Sequence, residues 1–193
     1  MPSGSGDESL ALHFVNTRMV DGPRPIDAIG TPEGLQSWFE RHGLDRSPSG
    51  FPKSLPDRHV LVMEAMRLRD AINRMFTAVS SGAAVDSMTL ATINRCLSAD
   101  SLSTRLTLTD SVLTVEHFGT ATSPLALLAS LALSAAEVLE HSSRSRLRQC
   151  AGATCRHWFV DTSKGGQRRW CSMSRCGNRS KAARFRETNA PDS

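Results

Sequence analysis

At 193 residues and 39% hydrophobic content, the chain has room for one domain of ordinary size plus a small module, with enough apolar side chains for a conventional core. Residues 1–7 are polar and small, without the basic-then-apolar layout of a secretory leader, and the dense apolar run Pro124–Ala136 covers 13 residues, short of the roughly 20 that a membrane span requires. These features exclude secreted and membrane-spanning readings and lead to the expectation of a soluble, cytoplasmic protein; the net charge of +4 hides an asymmetry, because His141–Ser193 holds twelve Lys or Arg against three Asp or Glu, a balance of +9, which leaves −5 on residues 1–140.

In chain order, residues 1–8 are expected to be disordered, and the apolar Leu10–Val15 followed by Asn16-Thr17 predicts a short helix. Residues 21–30, with Gly22, Pro23, Pro25 and Gly30, read as a loop. Thr31-Pro32-Glu33 opens a helix with a hydroxyl at the cap, proline at the first helical position and an acid in the first turn; it runs through Leu35, Trp38 and Phe39 and stops near Gly43. After a loop over 45–57, a long helix is expected from about Asp57 to Ser80. Its Leu61, Ala65, Leu68, Ile72, Met75, Phe76 and Val79 form one apolar stripe, and Glu64, Arg67, Asp70 and Arg74 alternate in charge on the other side. Ser87–Leu97 predicts a further helix with Cys96 as a small core residue. Leu102–Leu108 and Val112–Phe118 alternate about Thr109-Asp110-Ser111 and predict a hairpin. Ser123-Pro124 starts a last helix of the body, apolar almost all round to Ala136 and polar after Glu137, with 137–149 available as a rigid helical connector to Cys150.

Four of the five cysteines fall in two pairs of equal inner spacing: Cys150 and Cys155, fifteen residues, then Cys171 and Cys176. Two short loops so separated match the ribbon or treble-clef layout, in which four soft ligands converge on one tetrahedral zinc with metal–sulfur bonds of about 2.3 Å. Two disulfides are the rival reading in an oxidising compartment. Four thiolates leave no open coordination position, so the zinc is structural rather than catalytic, and His157 is expected to pack or cap. The module spans about 37 residues, a size at which the metal supplies much of the folding free energy. The predicted fold class is therefore mainly α (α+β): a helical N-terminal domain with a small β-hairpin over residues 1–145, followed by a C-terminal four-cysteine zinc-finger module over 146–188.

Residues 168–186 are dense in cations. If Ser174 caps a helix starting near Arg175, then Arg175, Arg179 and Arg186 fall within about 40° of one another, with Lys181 and Arg184 opposite and Phe185 and Asn178 on a stripe that packs on the zinc loops. Three guanidiniums on one face suit phosphate oxygens or guanine edges. Arg168 and Arg169, just before Trp170-Cys171, are candidates for the same contact or for offsetting the −2 charge of a zinc tetrathiolate. Trp158 and Phe159 either stack on bases or form the module's core, and Asn178 either reads adenine or serves the turn at Gly177.

Trp170-Cys171-Ser172-Met173 and Cys176-Gly177-Asn178-Arg179 resemble the CGNR zinc-finger family, and Cys150, Cys155 and Phe159-Val160-Asp161 resemble its first half. Leu10-Ala11-Leu12-His13-Phe14-Val15-Asn16-Thr17 is similar to the ABATE domain that accompanies it, described as a stress-induced transcription regulator; His13 stands where that family often carries an Asp. The resemblance implies a bacterial stress-response regulator, zinc on Cys150, Cys155, Cys171 and Cys176, and nucleic-acid contacts from Arg179 and Lys181. The leading expectation is a DNA-binding transcription regulator whose candidate contacts are Arg168, Arg169, Arg175, Arg179, Lys181, Arg184 and Arg186, and whose body senses a signal or forms a homodimer. The alternatives are a zinc-dependent module that docks on a protein of the transcription machinery, a thiol/zinc redox sensor, and an RNA-binding protein. No Gly-rich phosphate loop, metal-spaced His–Glu pair or catalytic triad argues for an enzyme.

Overall fold

The computed structural model describes residues 9–19, 26–44, 51–99, 103–109, 112–118, 125–141 and 146–188. The expectations for residues 1–8, the first part of the 45–57 loop, the turn at Asp110-Ser111 and the helix start at Ser123-Pro124 lie outside them. Six α-helices and three two-stranded antiparallel ladders are described. In order they are α1 (Leu10–Val15), β1 (Arg18–Met19), β2 (Ile26–Asp27), α2 (Pro32–Arg41), α3 (Leu55–Ser81), α4 (Ser87–Leu97), β3 (Ser103–Thr109), β4 (Val112–Phe118), α5 (Ala126–His141), β5 (Leu147–Gln149), β6 (Trp158–Val160), a π-helical turn (Met173–Gly177) and α6 (Asn178–Thr188).

The helix boundaries follow from local chemistry. Thr31 Oγ1 accepts the Gly34 N–H at 3.1 Å ahead of Pro32. Ser54 accepts from Asp57 N at 3.2 Å and starts α3 at Leu55, two residues earlier than the apolar stripe suggested. Gly82 ends α3 with φ at +74°, a left-handed cap that glycine adopts without a Cβ clash. Asp86 caps α4 through Thr89 N at 2.8 Å. The six-residue α1 is too short to stand alone. Its Ala11 N–H is satisfied by Ser134 Oγ of α5 at 3.1 Å, so a buried serine from across the core caps it.

α3 is the central helix and touches α1, α2, α4, α5 and β5. Its Leu61, Ala65, Leu68, Ile72, Met75 and Phe76 are buried as the period predicted, and Val79 is partly so. On the other side Glu64 pairs with Arg67 at 2.6 Å and with Arg95 of α4. Arg69 breaks the apolar pattern: it sits in the stripe, only 1% exposed. Its guanidinium grips Asp27 through two bonds of 2.7 and 2.5 Å and donates to Thr17 Oγ1 at 2.9 Å. That grip pins the β1–β2 ladder (Arg18 opposite Asp27) inside a segment whose glycines and prolines read as loop. The hairpin of β3 and β4 pairs from Ser103–Phe118 to Thr109–Val112, in the register expected from its alternation. Among the described residues no helix is long and apolar enough to cross a membrane.

The connector differs from expectation. α5 stops at His141, and Leu147–Gln149 is a strand, not the end of a rigid helix. β5 pairs with β6 (Leu147–Val160, Arg148–Phe159, Gln149–Trp158) because Leu147 and the β-prone Trp158-Phe159-Val160 have apolar surfaces to bury on both faces. In β6 the strand period of two divides the side chains. Trp158 and Val160 enter the main core with Leu147, and Phe159 packs with Cys150 and Cys176. Phe76 of α3 meets Trp158 edge-on at 5.7 Å.

Candidate zinc centre and basic face

The first cysteine pair stands at the open end of the β5–β6 ladder. Cys150 N donates to His157 O at 2.8 Å and extends the pairing by one residue, and Cys155 N closes a tight turn on Gly152 O at 3.0 Å. Gly152 is required here, since a Cβ would lie 3.1 Å from that of Cys155 and 3.6 Å from Cys150 Sγ. The second pair is carried by the segment after Trp170. Ala151 N donates to Arg169 O at 2.9 Å and stitches the two together. Cys171 N points at Cys150 Sγ from 3.4 Å, and Cys176 N and Gly177 N both donate to Ser172 O.

The four Sγ atoms lie within 4.8 Å of one another, with Cys155–Cys171 and Cys171–Cys176 both at 3.7 Å. A tetrahedron with bonds of about 2.3 Å has sulfur–sulfur edges of about 3.8 Å, so the donor set fits zinc. The same separations are far above the roughly 2.05 Å of a disulfide, and all five cysteines are free. Burial pushes the Cys171 thiol up strongly, reinforced by the sulfurs of Cys150 and Cys176, and burial pushes Cys176 up to about 11. Cys150 is also buried, but the backbone N–H groups of Cys171 and Gly152 outweigh this and hold it below its ordinary value. Four crowded sulfurs resist shared ionisation without a cation, and a dication relieves the repulsion while fixing all four as thiolates. Cys96, raised to about 11 by burial, is a plain core thiol.

Asp161 organises the loop between the pairs. It is 1% exposed and accepts from Ser163 Oγ at 2.6 Å, Ser163 N at 3.0 Å and Arg168 N at 2.8 Å. Those bonds, led by the Ser163 hydroxyl and joined by Arg148, hold its carboxyl below the usual range. Arg146 donates to the carbonyls of Asp161 and Ser163, and Arg148 to that of Gly166, so these two arginines brace the loop. Arg168 turns inward too. Its guanidinium lies 4.7 Å from the Phe159 ring centroid, donates to Trp170 O at 3.0 Å and also bonds Cys171 O. Among the expected contacts, Arg168 is therefore a brace of the knuckle.

The remaining candidates are solvent-facing. Arg169 lies over Trp170 at 5.2 Å, and Arg169, Arg175, Arg179, Lys181, Arg184 and Arg186 are all exposed. Their geometry corrects the expected register. Ser172, not Ser174, caps the turn by accepting Arg175 N at 3.3 Å, and the chain passes through a π turn before α6 begins at Asn178. The wider turn separates Arg175 from the α-helical face, where Arg179 and Arg186 remain about 20° apart and Lys181 and Arg184 lie about 60° apart on the far side. Gly177 permits this turn to pack: a Cβ there would meet Met173 Sδ at 2.6 Å. Asn178 has ordinary helical angles, φ −65° and ψ −39°. Phe185 does not form the expected packing stripe, being 71% exposed. Trp158 and Phe159 are buried in the two cores rather than offered for stacking.

The residues that join module to body were not singled out by sequence. The Asn16 side chain pairs with the backbone of Trp158 in both directions, donating to its O at 2.9 Å and accepting from its N at 2.7 Å. Trp158 Nε1 donates to Asn73 Oδ1 at 2.9 Å. Nothing in the local pattern distinguishes Asn16 from an ordinary helix terminus.

A metal-stabilised zinc finger attached to a helical body is thus the class of protein that fold and site define. Residues 146–188 match the CGNR zinc finger and residues 8–142 match ABATE, described as "putative stress-induced transcription regulator". The chain belongs to the ABATE family, with a CGNR zinc finger at its C-terminal end and zinc as its cofactor. No curated protein matches it.

Proposed function

We propose that this chain is a DNA-binding transcription regulator in which Cys150, Cys155, Cys171 and Cys176 hold a structural zinc, and Arg169, Arg175, Arg179, Lys181, Arg184 and Arg186 contact phosphates and base edges. The observation that carries the reading is the exposed helix α6, which leaves the four-sulfur cluster through the π turn with five Lys or Arg against one Glu over residues 173–188. The zinc does no chemistry on a substrate; bound, it supplies a fixed tetrahedral anchor. Gly152 lets the two cysteine turns close, Asp161 holds the intervening loop, and Arg168 fixes the carbonyls of Trp170 and Cys171, so the helix leaves in one direction. Cations on opposite sides of α6 suit a groove with phosphates on both walls. The body, residues 1–145, is the part that would sense a signal or pair two copies; two modules at a fixed spacing would fit a two-fold site.

Fluorescence anisotropy of the zinc-loaded protein on random duplex DNA and matched RNA, across a salt series, tests this. Each phosphate neutralised contributes a slope of about −0.9 in log K against log salt on B-DNA. The wild type is expected to give a slope of several units on duplex, and the R175A/R179A/R186A variant a shallower one by about three. Absence of binding at physiological salt with zinc retained sinks the reading. It would favour a protein partner in the transcription machinery, for which the exposed Met173 and Phe185 supply apolar contact.

A further inference from the structure

Beside the Asn16–Trp158 pairing, body and zinc module enclose a cleft of about 220 Å³. One wall is α1, carrying His13; the floor is His157, Trp158 and Phe159; the other wall is the second cysteine segment, with Cys171 and Arg175. We propose that this cleft binds a small organic anion, a carboxylate or phosphate ester carrying a compact apolar group. The site is separate from the DNA reading and stands if that reading fails.

Charge and chemistry select the ligand class. No carboxylate lines the cleft, whereas two imidazoles and a guanidinium do. Imidazole presents an N–H donor in either tautomer, and guanidinium is charged at every accessible pH. The Asn16 amide, also at the rim, is committed at both ends to the Trp158 backbone and so acts as a hinge pin. The zinc tetrathiolate touching the cleft through Cys171 would carry −2, but Arg168, Arg169 and Arg175 lie in the same knuckle and outweigh it. Size selects further. A dry cavity of about 150 Å³ holds benzene, so 220 Å³ admits a single ring or short chain with its acidic group. The apolar surface for that group comes from Trp158 and Phe159.

Position gives the site its interest. His13 belongs to the body, and Cys171 and Arg175 belong to the segment that launches α6. An anion bridging His13 to Arg175 spans the junction, so its binding energy differs between docked and undocked module, the condition for coupling the two.

Isothermal titration calorimetry on the full zinc-loaded chain at constant ionic strength, without nucleic acid, tests the proposal with benzoate and its neutral analogue benzyl alcohol. A fragment of this size is expected to saturate with a Kd of order 1 mM, and benzyl alcohol to bind at least about tenfold more weakly. H13L, at an exposed position, and R175Q are each expected to weaken benzoate about fivefold or more while zinc content is retained. The Trp158 indole N–H resonance should shift on benzoate addition in the wild type. Three results would each overturn the proposal: no saturable benzoate binding up to about 20 mM, equal affinity for benzyl alcohol, or wild-type affinity in H13L.

Discussion

The two halves of the zinc module share one cluster of sulfurs but are held in different ways. The first half, β5 and β6, is continuous with the body: Leu147, Trp158 and Val160 lie in the main core, and Asn16 and Asn73 hydrogen bond to Trp158. The second half, the π turn and α6, is joined through Cys171, Cys176 and the Ala151–Arg169 bond, and α6 packs chiefly on the π turn. An 11-residue helix that is polar nearly all round is marginal alone. Hydrophobic burial therefore secures one half and metal coordination the other. The module's small size suggested a unit wholly dependent on zinc, but the welded strand pair gives half of it a second source of stability.

Chelating the metal should break the comparison open. Structural zinc contributes on the order of 10 kcal/mol in small modules, and its loss is expected to fall on one side. By hydrogen exchange, amides of 173–188 should approach unprotected rates, and those of Trp158 and Val160 should stay protected with α3 and α5. Simultaneous loss of protection at 158–160 would falsify the division. Adjacent residues of β6 sharpen it. Trp158→Ala removes a ring packed on Phe76 and should lower the body's stability by about 3–5 kcal/mol, seen as a fall of roughly 10 °C in Tm. Phe159→Ala empties the other face and should weaken zinc retention in a chelator competition, with a much smaller change in the body's melt. Equal effects of the two on the melt would mean that the strand's faces are not energetically separate.

Much of this arrangement was legible in the residue pattern. The helices of the body announced themselves through caps at Thr31 and an apolar stripe from Leu61 to Val79, both local or strictly periodic signals. The cysteine spacing led to the four-sulfur cluster because ligand convergence tolerates few layouts. What escaped were non-local choices. Leu147–Gln149 continues a helix as plausibly as it starts a strand, and only its distant partner Trp158–Val160 decides. Arg69 lies in an apolar stripe because Asp27, 42 positions away, answers its charge. The division of arginines into braces (Arg146, Arg148, Arg168) and exposed cations depends on which carbonyls lie within reach, which a charge count cannot resolve. The π turn displaced the expected arginine face because a pattern read at 100° per residue presumes an α-helix throughout.

Smaller effects test the polar joints. Asn16→Ala leaves the N–H and C=O of Trp158 without their side-chain partner, and unsatisfied groups of this kind cost about 1–3 kcal/mol. Asn16→Asp is the more telling variant: a carboxylate still accepts from Trp158 N but repels Trp158 O, so it should be no better than alanine at neutral pH. A chemical-denaturation series would read both. If neither moves the midpoint, the apolar face of β6 alone holds the junction.

The Asp27–Arg69 pair provides the corresponding test wholly within the body, with the smallest expected change. The Arg69 guanidinium, bonded to Asp27 through both nitrogens, holds the carboxyl below its ordinary value near 3.8, against the opposing pull of burial. A carboxylate depressed on folding adds stability that is fully present above the unfolded value and is lost as pH falls through the lower folded one. Asp27→Asn keeps an oxygen that accepts from Arg69 but gives up the charge, so it should melt below the wild type at pH 7 by a modest margin. That margin should shrink as pH drops beneath 3.8, since the wild type loses its carboxylate there and the variant has none to lose. The zinc thiolates also take up protons on acidification, so the difference must be followed in the body's helices, not in α6. A margin that stays constant down to pH values well below the ordinary carboxylate range would mean that the amide of the D27N variant fails for reasons of shape, and that the charge of Arg69 is answered by Thr17 and its surroundings rather than by Asp27.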